Sequence, residues 1–193
     1  MNQFRDKLIR GLRNPLAGWW ALRVRIRGQL FKFCCLLFRP RISVGRGFKL
    51  DGKLEIRGPG RVVIGDNVTV SMLVTPYTHS PGAVIEIGNN VFLNGTRFGC
   101  NERIYVGSRS ILADCRITDY DFHSTNPNHR NDPEFIKGAP VTIGENVWIA
   151  AACFIHKGVT IGSNSTIAAM ANVLGDIPPG AIAGGNPATV RKL

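Results

Sequence analysis

Residues 117–130, with the sequence ITDYDFHSTNPNHR, contain the side chains of this protein that are best suited to proton transfer. Among them are His123 and His129 and the carboxylates of Asp119 and Asp121. Histidine has an ordinary pKa close to neutrality, so it can accept a proton in one step and return it in the next. An acidic partner to orient the imidazole of His123 would be Asp121 or Asp119, and the sequence alone does not choose between them.

The polar segment interrupts a repeat of six residues. From residue 143 the chain reads IGENVW, IAAACF, IHKGVT, IGSNST, IAAMAN and VLGDIP, and each hexad opens with an aliphatic residue. The fifth position of each hexad is apolar or small, and small residues recur at the second position. Looser copies begin at Ile64, Ile87 and Val106, and a degenerate copy begins at Val44.

This period predicts an all-β protein, a triangular parallel β-helix of about six coils over residues 44–193. Each hexad forms one short strand and one corner, so three hexads make a coil of about 18 residues. One aliphatic side chain in each hexad points inward and stacks on its copy one coil away. An α-helix would instead show an apolar period of 3.6 residues.

The repeat stops on one side of the predicted triangle. Val106 and Ile143 are 37 residues apart, close to the length of two coils, but the third side does not return as hexads. We therefore predict that residues 119–140 leave the β-helix as a protruding loop. A long loop on a rigid scaffold usually carries function.

The net charge of +11 is concentrated at the N-terminus. Residues 1–47 contain eleven Lys and Arg against one acid, whereas the rest of the chain contains thirteen against twelve. A nearly neutral body argues against a nucleic-acid-binding surface. Five cysteines without a CxxC pair argue against a disulfide framework or a zinc cluster, and they favour a reducing, cytoplasmic compartment.

Residues 1–43 form a basic amphipathic arm, predicted to be partly helical. Asn14-Pro15 is typical of a helix start, whereas LRVRIR (residues 22–27) alternates as a strand does. No stretch reaches the ~18–20 uncharged residues of a membrane-spanning helix, and no signal-peptide cleavage site follows the apolar run. The arm either lies on an anionic membrane surface or packs its apolar side on the body or on a neighbouring subunit.

The hexads, with VWIAAACFIHKGVTIG and IPPGAIAGGNPATVRKL, resemble the hexapeptide-repeat acyltransferases, in particular the sugar and polysaccharide O-acetyltransferases. The resemblance covers residues 44–193. It implies a left-handed β-helix, a homotrimer, and acetyl-CoA bound as co-substrate between neighbouring β-helices, with no metal required. Together with the basic arm it implies acetylation of a surface polysaccharide, or of its lipid-linked precursor, at the inner face of the cytoplasmic membrane. N-acetylation of an amino sugar stays open.

The resemblance assigns the general base to the head of the protruding loop, where His123 stands. The base would take the proton of the acceptor hydroxyl as it attacks the thioester, and N–H donors would stabilise the tetrahedral oxyanion. His129 would contact substrate or pack within the loop. Asn94, in FLNGT, matches a family asparagine near the active site, and it either contacts substrate or holds a corner of the coil.

Further residues are assigned to acetyl-CoA by the same resemblance. Trp148 matches the aromatic residue beside the pantetheine arm, unless it is a trimer contact. Ala150 and Ala168 lie at corners whose backbone amides would meet the pantetheine, and Met170 stands where the family often has glycine. Arg191 and Lys192 would pair with the CoA phosphates, unless they are merely solvated.

Arg97 and Arg116 are not explained by the resemblance. Each is the fifth residue of the second hexad in its coil, nominally an inward position, and the two are 19 residues apart, so they should stack. Two buried, unpaired guanidinium groups would be very costly. Either the register slips there, or the corner opens to a polar site that binds an anionic substrate or anchors the loop.

Two other classes of function fit the fold less well. A metalloenzyme of the γ-carbonic-anhydrase type needs three histidines around a metal, but His123 and His129 share one irregular loop and no clear third ligand follows. A structural or ice-binding β-helix would favour ladders of repeated surface residues such as threonine, and the sequence has none.

Overall fold

The computed structural model describes residues 15–191, which form one helix followed by a three-sided parallel β-helix of about seven turns. The helix, α1, spans Pro15–Phe38. The strands of the first face are β1 (Ile42–Val44), β4 (Arg61–Ile64), β7 (Val84–Ile87), β10 (Arg103–Val106), β13 (Val141–Ile143) and β16 (Thr160–Ile161).

The other two faces are built in the same way. The second face contains β2 (Lys49–Leu50), β5 (Thr69–Ser71), β8 (Phe92–Asn94), β11 (Ile111–Ala113), β14 (Trp148–Ile149), β17 (Thr166–Ile167), β19 (Ile182–Gly184) and β20 (Thr189–Arg191). The third face contains β3 (Lys53–Leu54), β6 (Leu73–Thr78), β9 (Arg97–Cys100), β12 (Arg116–Thr118), β15 (Phe154–Ile155) and β18 (Asn172–Val173). All pairs of named strands are parallel except β19 with β20.

The core is a set of aliphatic columns, as the hexads predict. On the first face, Ile143 stacks on Ile161 of the next coil. On the second face, Ile149 stacks on Ile167 in the same way. The six aliphatic openers from residue 143 onward are all fully buried, and the fifth residues of the same hexads are buried beside them. Stacked side chains of similar shape fill the interior at every level, which is why the period can be maintained over many coils.

The stack has about seven turns, where the sequence predicts about six coils. Ile177 bridges to Ile161 on the first face, and β19 adds a seventh strand to the second face. The third face has no named strand at this level. Pro178 and Pro179 lack the backbone N–H that regular strand pairing requires, so this last turn is incomplete and does not resemble a hexad.

Arg97 and Arg116 stack as predicted, and of the two alternatives left open the register slips there, so neither side chain points inward. The two residues are direct partners in the β9–β12 register, but both side chains are exposed, while Phe98 and Ile117 point inward. In these coils, the corner before the third face is one residue shorter than in the later coils. The fifth position of the hexad is thereby shifted to the outer surface of the third face.

Helix α1 covers the first coil of the β-helix. Val24 and Cys35 are buried, and the Phe31 ring lies 5.9 Å from the ring of Phe48 in the core. Arg27 donates hydrogen bonds of 2.7 Å to the carbonyls of Asp51 and Gly52. Residues 22–27, which alternate in sequence as a strand does, lie within α1 and are helical. Their arginines are therefore spread around the helix.

Candidate active site

The protruding loop connects the end of β12 to the start of β13. It contains two short 3₁₀ helices, Pro127–His129 and Pro133–Phe135. At its base, Tyr120 bridges to Gly138, and the N–H of Ala139 donates to the carbonyl of Asp119 at 2.7 Å. These bonds hold the two ends of the loop side by side.

Asp119 is a buried structural carboxylate. Its Oδ1 accepts a hydrogen bond from the N–H of Asn101 at 2.7 Å, and its Oδ2 accepts one from the N–H of Glu102 at 2.8 Å. The thiol of Cys100 lies 3.3 Å from the same Oδ2, and burial together with Asp119 raises the pKa of that thiol. Asp119 thus holds the turn that follows β9 in the preceding coil.

Neither aspartate expected to orient His123 is bonded to it. Asp119 is occupied by Asn101 and Glu102, and Asp121 forms an ion pair with Lys157, which lies 36 residues later in the repeat that follows the loop. The imidazole Nδ1 of His123 instead lies 3.0 Å from Oδ1 of Asn131. Asn131 was not predicted from the sequence, because an asparagine in a loop carries no signal of such a role.

His129 is held within the loop rather than against His123. Its Nδ1 lies 2.7 Å from Oδ2 of Asp132, and its ring stacks on Phe135 with centroids 4.0 Å apart. Of the two roles considered for His129, this geometry favours loop packing.

A cavity of about 390 Å³ lies beside His123. Besides His123 its lining includes His79, Asn101, Tyr120 and Phe122. His79 Nε2 and Tyr120 Oη are the two buried side-chain N and O atoms in residues 15–191 that have no hydrogen-bond partner there. Because buried polar groups are normally paired, two unpaired ones in the lining of one cavity indicate a site for a polar ligand.

Three residues of the cavity wall, His79, Tyr120 and Phe122, form an aromatic cluster with Tyr77, which lies outside the cavity. The His79 ring lies 4.0 Å from the Tyr77 ring and 4.7 Å from the Tyr120 ring, measured between centroids. Burial lowers the pKa of His79, which keeps the imidazole neutral, and nearby Asp119 opposes this shift. Burial, reinforced by Asp119, raises the pKa of Tyr120. Both side chains can therefore offer neutral hydrogen-bonding groups to a ligand.

Asn94 and Trp148 lie on the second face, whereas the loop leaves from the third. The structure does not bring either residue into the cavity beside His123. Trp148 is paired with Ile111, which is paired with Phe92, so these three side chains form a column along the second face. They are large, apolar and between 37% and 51% exposed, so the column is suited to contact with another molecule.

The backbone amides of Ala150 and Ala168, predicted to meet the pantetheine, already have hydrogen-bond partners within the β-helix. The N–H of Ala150 donates to the carbonyl of Ile167, and the N–H of Ala168 donates to that of Ala183, so both are used between coils. The next residues, Ala151 and Ala169, are exposed at the corner, and within residues 15–191 their N–H groups donate no backbone hydrogen bond. These two amides are free for a ligand.

The remaining predicted residues are at the C-terminal end. Arg191 is the exposed last residue of β20, which pairs with β19. Lys192 lies outside the described residues. Within residues 15–191, no group of three or more His, Cys, Asp or Glu side chains is arranged to hold a metal ion.

Comparison with known proteins agrees with the repeat. Residues 140–175 match the family model described as bacterial transferase hexapeptide (six repeats). Over 130 residues the chain is 34% identical to the galactoside O-acetyltransferase of Escherichia coli K12, covering 67% of this chain and 62% of that protein. It is 33% identical over 130 residues to a putative acetyltransferase of Staphylococcus aureus MRSA252, covering 66% and 63%.

The fold is also shared with solved structures. An N-acyltransferase from Bacillus cereus, in complex with dTDP-4-amino-4,6-dideoxyglucose and coenzyme A, matches with a TM-score of 0.65, 22% identity and coverage of 77% and 82%. A hexapeptide-repeat acetyltransferase from Vibrio cholerae matches with a TM-score of 0.57, 24% identity and coverage of 92% and 88%. The chain is therefore a member of the hexapeptide-repeat acyltransferase superfamily, and the predicted family is confirmed. It spans less than two thirds of the length of the two bacterial relatives.

Proposed function

We propose that the protein is an acetyl-CoA-dependent O-acetyltransferase that acts on a hydroxyl group of a sugar. The observation that carries the proposal is the cavity beside His123, whose lining includes His79 and Tyr120, two residues that each have a buried polar atom without a hydrogen-bond partner. A sugar hydroxyl is a polar ligand that both donates and accepts hydrogen bonds, so it can satisfy these atoms. The similarity to a galactoside O-acetyltransferase supports the same reaction class.

In the proposed reaction, His123 acts as the general base. Asn131 Oδ1 can only accept a hydrogen bond, so in the neutral imidazole this contact places the proton on Nδ1 and leaves the lone pair on Nε2. Nε2 takes the proton of the acceptor hydroxyl while the oxygen attacks the thioester carbonyl carbon. When the tetrahedral intermediate collapses, the C–S bond breaks and the imidazolium returns the proton to the CoA sulfur.

For the co-substrate, we propose that the free amides of Ala151 and Ala169 bind the pantetheine arm. They occupy equivalent corners one coil apart, and both are exposed. Arg191 and Lys192 remain the proposed partners of the CoA phosphates. Because acetyl-CoA is supplied inside the cell, we also propose a cytoplasmic location.

We propose that the molecule is a homotrimer, as the family resemblance implies. The exposed column of Phe92, Ile111 and Trp148 supplies an apolar surface on the second face for a neighbouring subunit. Light scattering should show a trimer for the wild type and a smaller species for Ile111→Glu. Lys49→Glu, on the same face but two coils before Phe92, is the matched control and should stay trimeric.

The enzymatic proposal is tested by two measurements on the full chain. Acetyl-CoA at 100 times its dissociation constant should stabilise both wild type and His123→Ala by ~2.7 kcal/mol, because the base is not needed for binding. Acetyl transfer from acetyl-CoA should then be measured on a panel of galactosides, glucosides and glucosamine. Mild alkali releases acetate from an ester but not from an amide, which separates O-acetylation from N-acetylation. No thermal shift at millimolar acetyl-CoA would contradict the proposal.

A further inference from the structure

The outer surface of the third face contains a second cavity, of about 370 Å³, next to the one that holds His123. Its lining includes the guanidinium-bearing residues Arg57, Arg97 and Arg116 and a single acid, Glu55. His79 and Phe122 line both cavities, so these two side chains form the wall between them.

Two of these arginines form no ion pair with an acid of the described chain, although Asp114 lines a neighbouring cavity together with both of them. Glu55 is already paired with Lys53 and Arg57, at 2.5 and 2.8 Å. Arg97 and Arg116 form no ion pair with a described residue, although they are direct partners in adjacent parallel strands. Neighbouring strands are ~4.8 Å apart, and like charges placed opposite one another are destabilising. A bound anion would remove this repulsion.

Arg116 is held in position by aromatic rings. Its guanidinium carbon lies 5.2 Å from the centroid of Phe122 and 5.7 Å from that of Phe154. Contacts of this kind restrain the guanidinium plane and leave its N–H edge available. Phe122 itself lies over Gly99, where an added Cβ would come within 3.2 Å of the ring. The absence of a side chain at residue 99 therefore makes room for the ring beside the arginines.

We propose that this arginine cavity binds an anionic group, a carboxylate or a phosphate, on the acceptor sugar. The inference rests on the proposed function, and it narrows the acceptor class from any sugar to an acidic or phosphorylated one. Guanidinium groups bind both anions with paired, charge-assisted hydrogen bonds. An anion held by Arg97 and Arg116 would place the rest of the sugar toward the shared wall of His79 and Phe122, with its hydroxyl groups directed to the cavity of His123.

The test is isothermal titration calorimetry of the full chain, which measures the dissociation constants of three related probes: glucuronate, glucose 1-phosphate and glucose. We expect at least one of the two anions to bind ten times more tightly than glucose, and the better of them identifies the group recognised. Arg97→Gln and Arg116→Gln should each weaken its binding about tenfold. Arg103→Gln, which removes the same charge from the first face, should leave it unchanged.

Several outcomes would overturn the arginine site. They are equal binding of all three probes, no anion binding by the wild type at 20 mM, and an anion preference that survives in the Arg97→Gln/Arg116→Gln double variant. The acetyl-CoA-dependent thermal shift of the wild type is recorded in parallel. A shift without anion binding contradicts only the arginine site, and anion binding without a shift contradicts only the acyltransferase proposal.

A second proposal rests on helix α1. Its side away from the β-helix carries an apolar stripe, whose residues are each half exposed or more: Trp19, Leu22, Ile26, Leu30, Phe33 and Leu37. Arg23 and Arg25 are exposed beside the stripe, and α1 contains no acid. Among the described residues no helix is both long and apolar enough to cross a membrane.

We infer that this stripe lies on an anionic lipid surface. An apolar stripe flanked by cations matches the acyl-chain boundary and the headgroups of such a surface, over the ~36 Å length of a 24-residue helix. A second copy of the chain is a poorer partner, because its Arg23 and Arg25 would lie against the same two arginines of the first copy. The proposal is independent of the enzymatic activity.

The test is sedimentation of the full chain with vesicles of 30% phosphatidylglycerol in phosphatidylcholine, and with vesicles of phosphatidylcholine alone. The wild type should bind the anionic vesicles at least ten times more tightly, and 0.5 M salt should weaken the binding. Ile26→Glu/Phe33→Glu should abolish it, whereas Gln29→Glu, on the same exposed side, should retain most of it. Absence of wild-type binding, or binding that the double variant retains, would overturn the inference.

Discussion

His123 is positioned by Asn131, whose side-chain oxygen lies 3.0 Å from the imidazole Nδ1. The contact joins two residues of the same protruding loop, so the orientation of the imidazole depends on the fold of the loop. An amide oxygen orients a neutral imidazole without placing a formal charge beside it. Removal of the base and removal of its orienting group should therefore have effects of different size.

For His123→Ala we expect the rate of acetyl transfer to fall by about 10²–10⁴-fold, because positioned general bases contribute that much. Asn131→Ala should lower kcat by a smaller factor and leave acetyl-CoA binding intact. The measurement is steady-state kinetics with an acceptor identified in the sugar panel. Asn128→Ala, in the same loop, is the control and should match the wild type. A fully active His123→Ala variant would exclude the histidine as the base.

Asp119→Ala should destabilise the protein by roughly 3 kcal/mol, because it removes the acceptor of two charge-assisted hydrogen bonds from the partly buried amides of Asn101 and Glu102. Asp121→Ala breaks a partly exposed ion pair with Lys157 and should cost no more than ~1 kcal/mol. Urea unfolding of both variants measures the difference. If the two variants unfolded at the same urea concentration, Asp119 would not have the structural role described above.

The pH dependence of stability should contain a contribution from His79. Because burial lowers its pKa in the folded state, the unfolded chain takes up the proton first as the pH falls below ~6.5. Stability is therefore fully present above that pH, and it is lost as the pH falls toward the lowered folded pKa. The wild type should lose more stability between pH 7.5 and pH 5.0 than His79→Phe, as measured by urea unfolding. Equal losses would show that His79 is not kept neutral by the fold.

Met170 adopts a left-handed backbone conformation, with φ of 64°, at an exposed corner. Glycine takes this conformation without steric cost, so Met170→Gly should stabilise the fold by about 0.5–1 kcal/mol. Ala169→Gly, one residue earlier and outside the left-handed region, should instead destabilise it slightly. Thermal unfolding of the pair checks the sign, and a less stable Met170→Gly variant would contradict the argument.

The column of Ile143 and Ile161 should be sensitive to truncation. Ile161→Ala leaves a space in a closely packed core and should cost ~2–5 kcal/mol. Thr160→Ala changes an exposed side chain of the same strand and should cost less than ~0.5 kcal/mol. The free energy of unfolding in urea distinguishes the two, and a small effect at Ile161 would mean that the columns are loosely packed.

The fold was predictable because the repeat is local and strict. An aliphatic residue such as Ile149 recurs every six positions, and no other regular structure has that period. The register at Arg97 was not predictable in the same way, since one residue fewer at a corner moves a side chain from the inside to the outside. Sequence spacing does not measure the length of a corner.

The candidate site was only partly predictable. His123 could be selected because the loop interrupts the repeat, and its residue type suits proton transfer. His79, by contrast, meets Tyr120 although 41 positions, about two coils, separate them in the chain. Asp119 meets the amides of Asn101 and Glu102 in the same way. Such contacts depend on which turns lie above one another, and that follows only from the three-dimensional stack.

The coverage of both ends of the stack has a consequence for assembly. At each end of a parallel β-helix, the backbone N–H and C=O groups that would bond to a further coil have no partner. An uncovered end can therefore pair with the end of another molecule. Helix α1 lies across the first coil, and β20 reverses direction against β19 at the other end. The chain beyond β18 also returns, with Ala188 donating to the carbonyl of Asn172. These covered ends should prevent the coils of one molecule from continuing into those of another, so the stack does not grow into fibres.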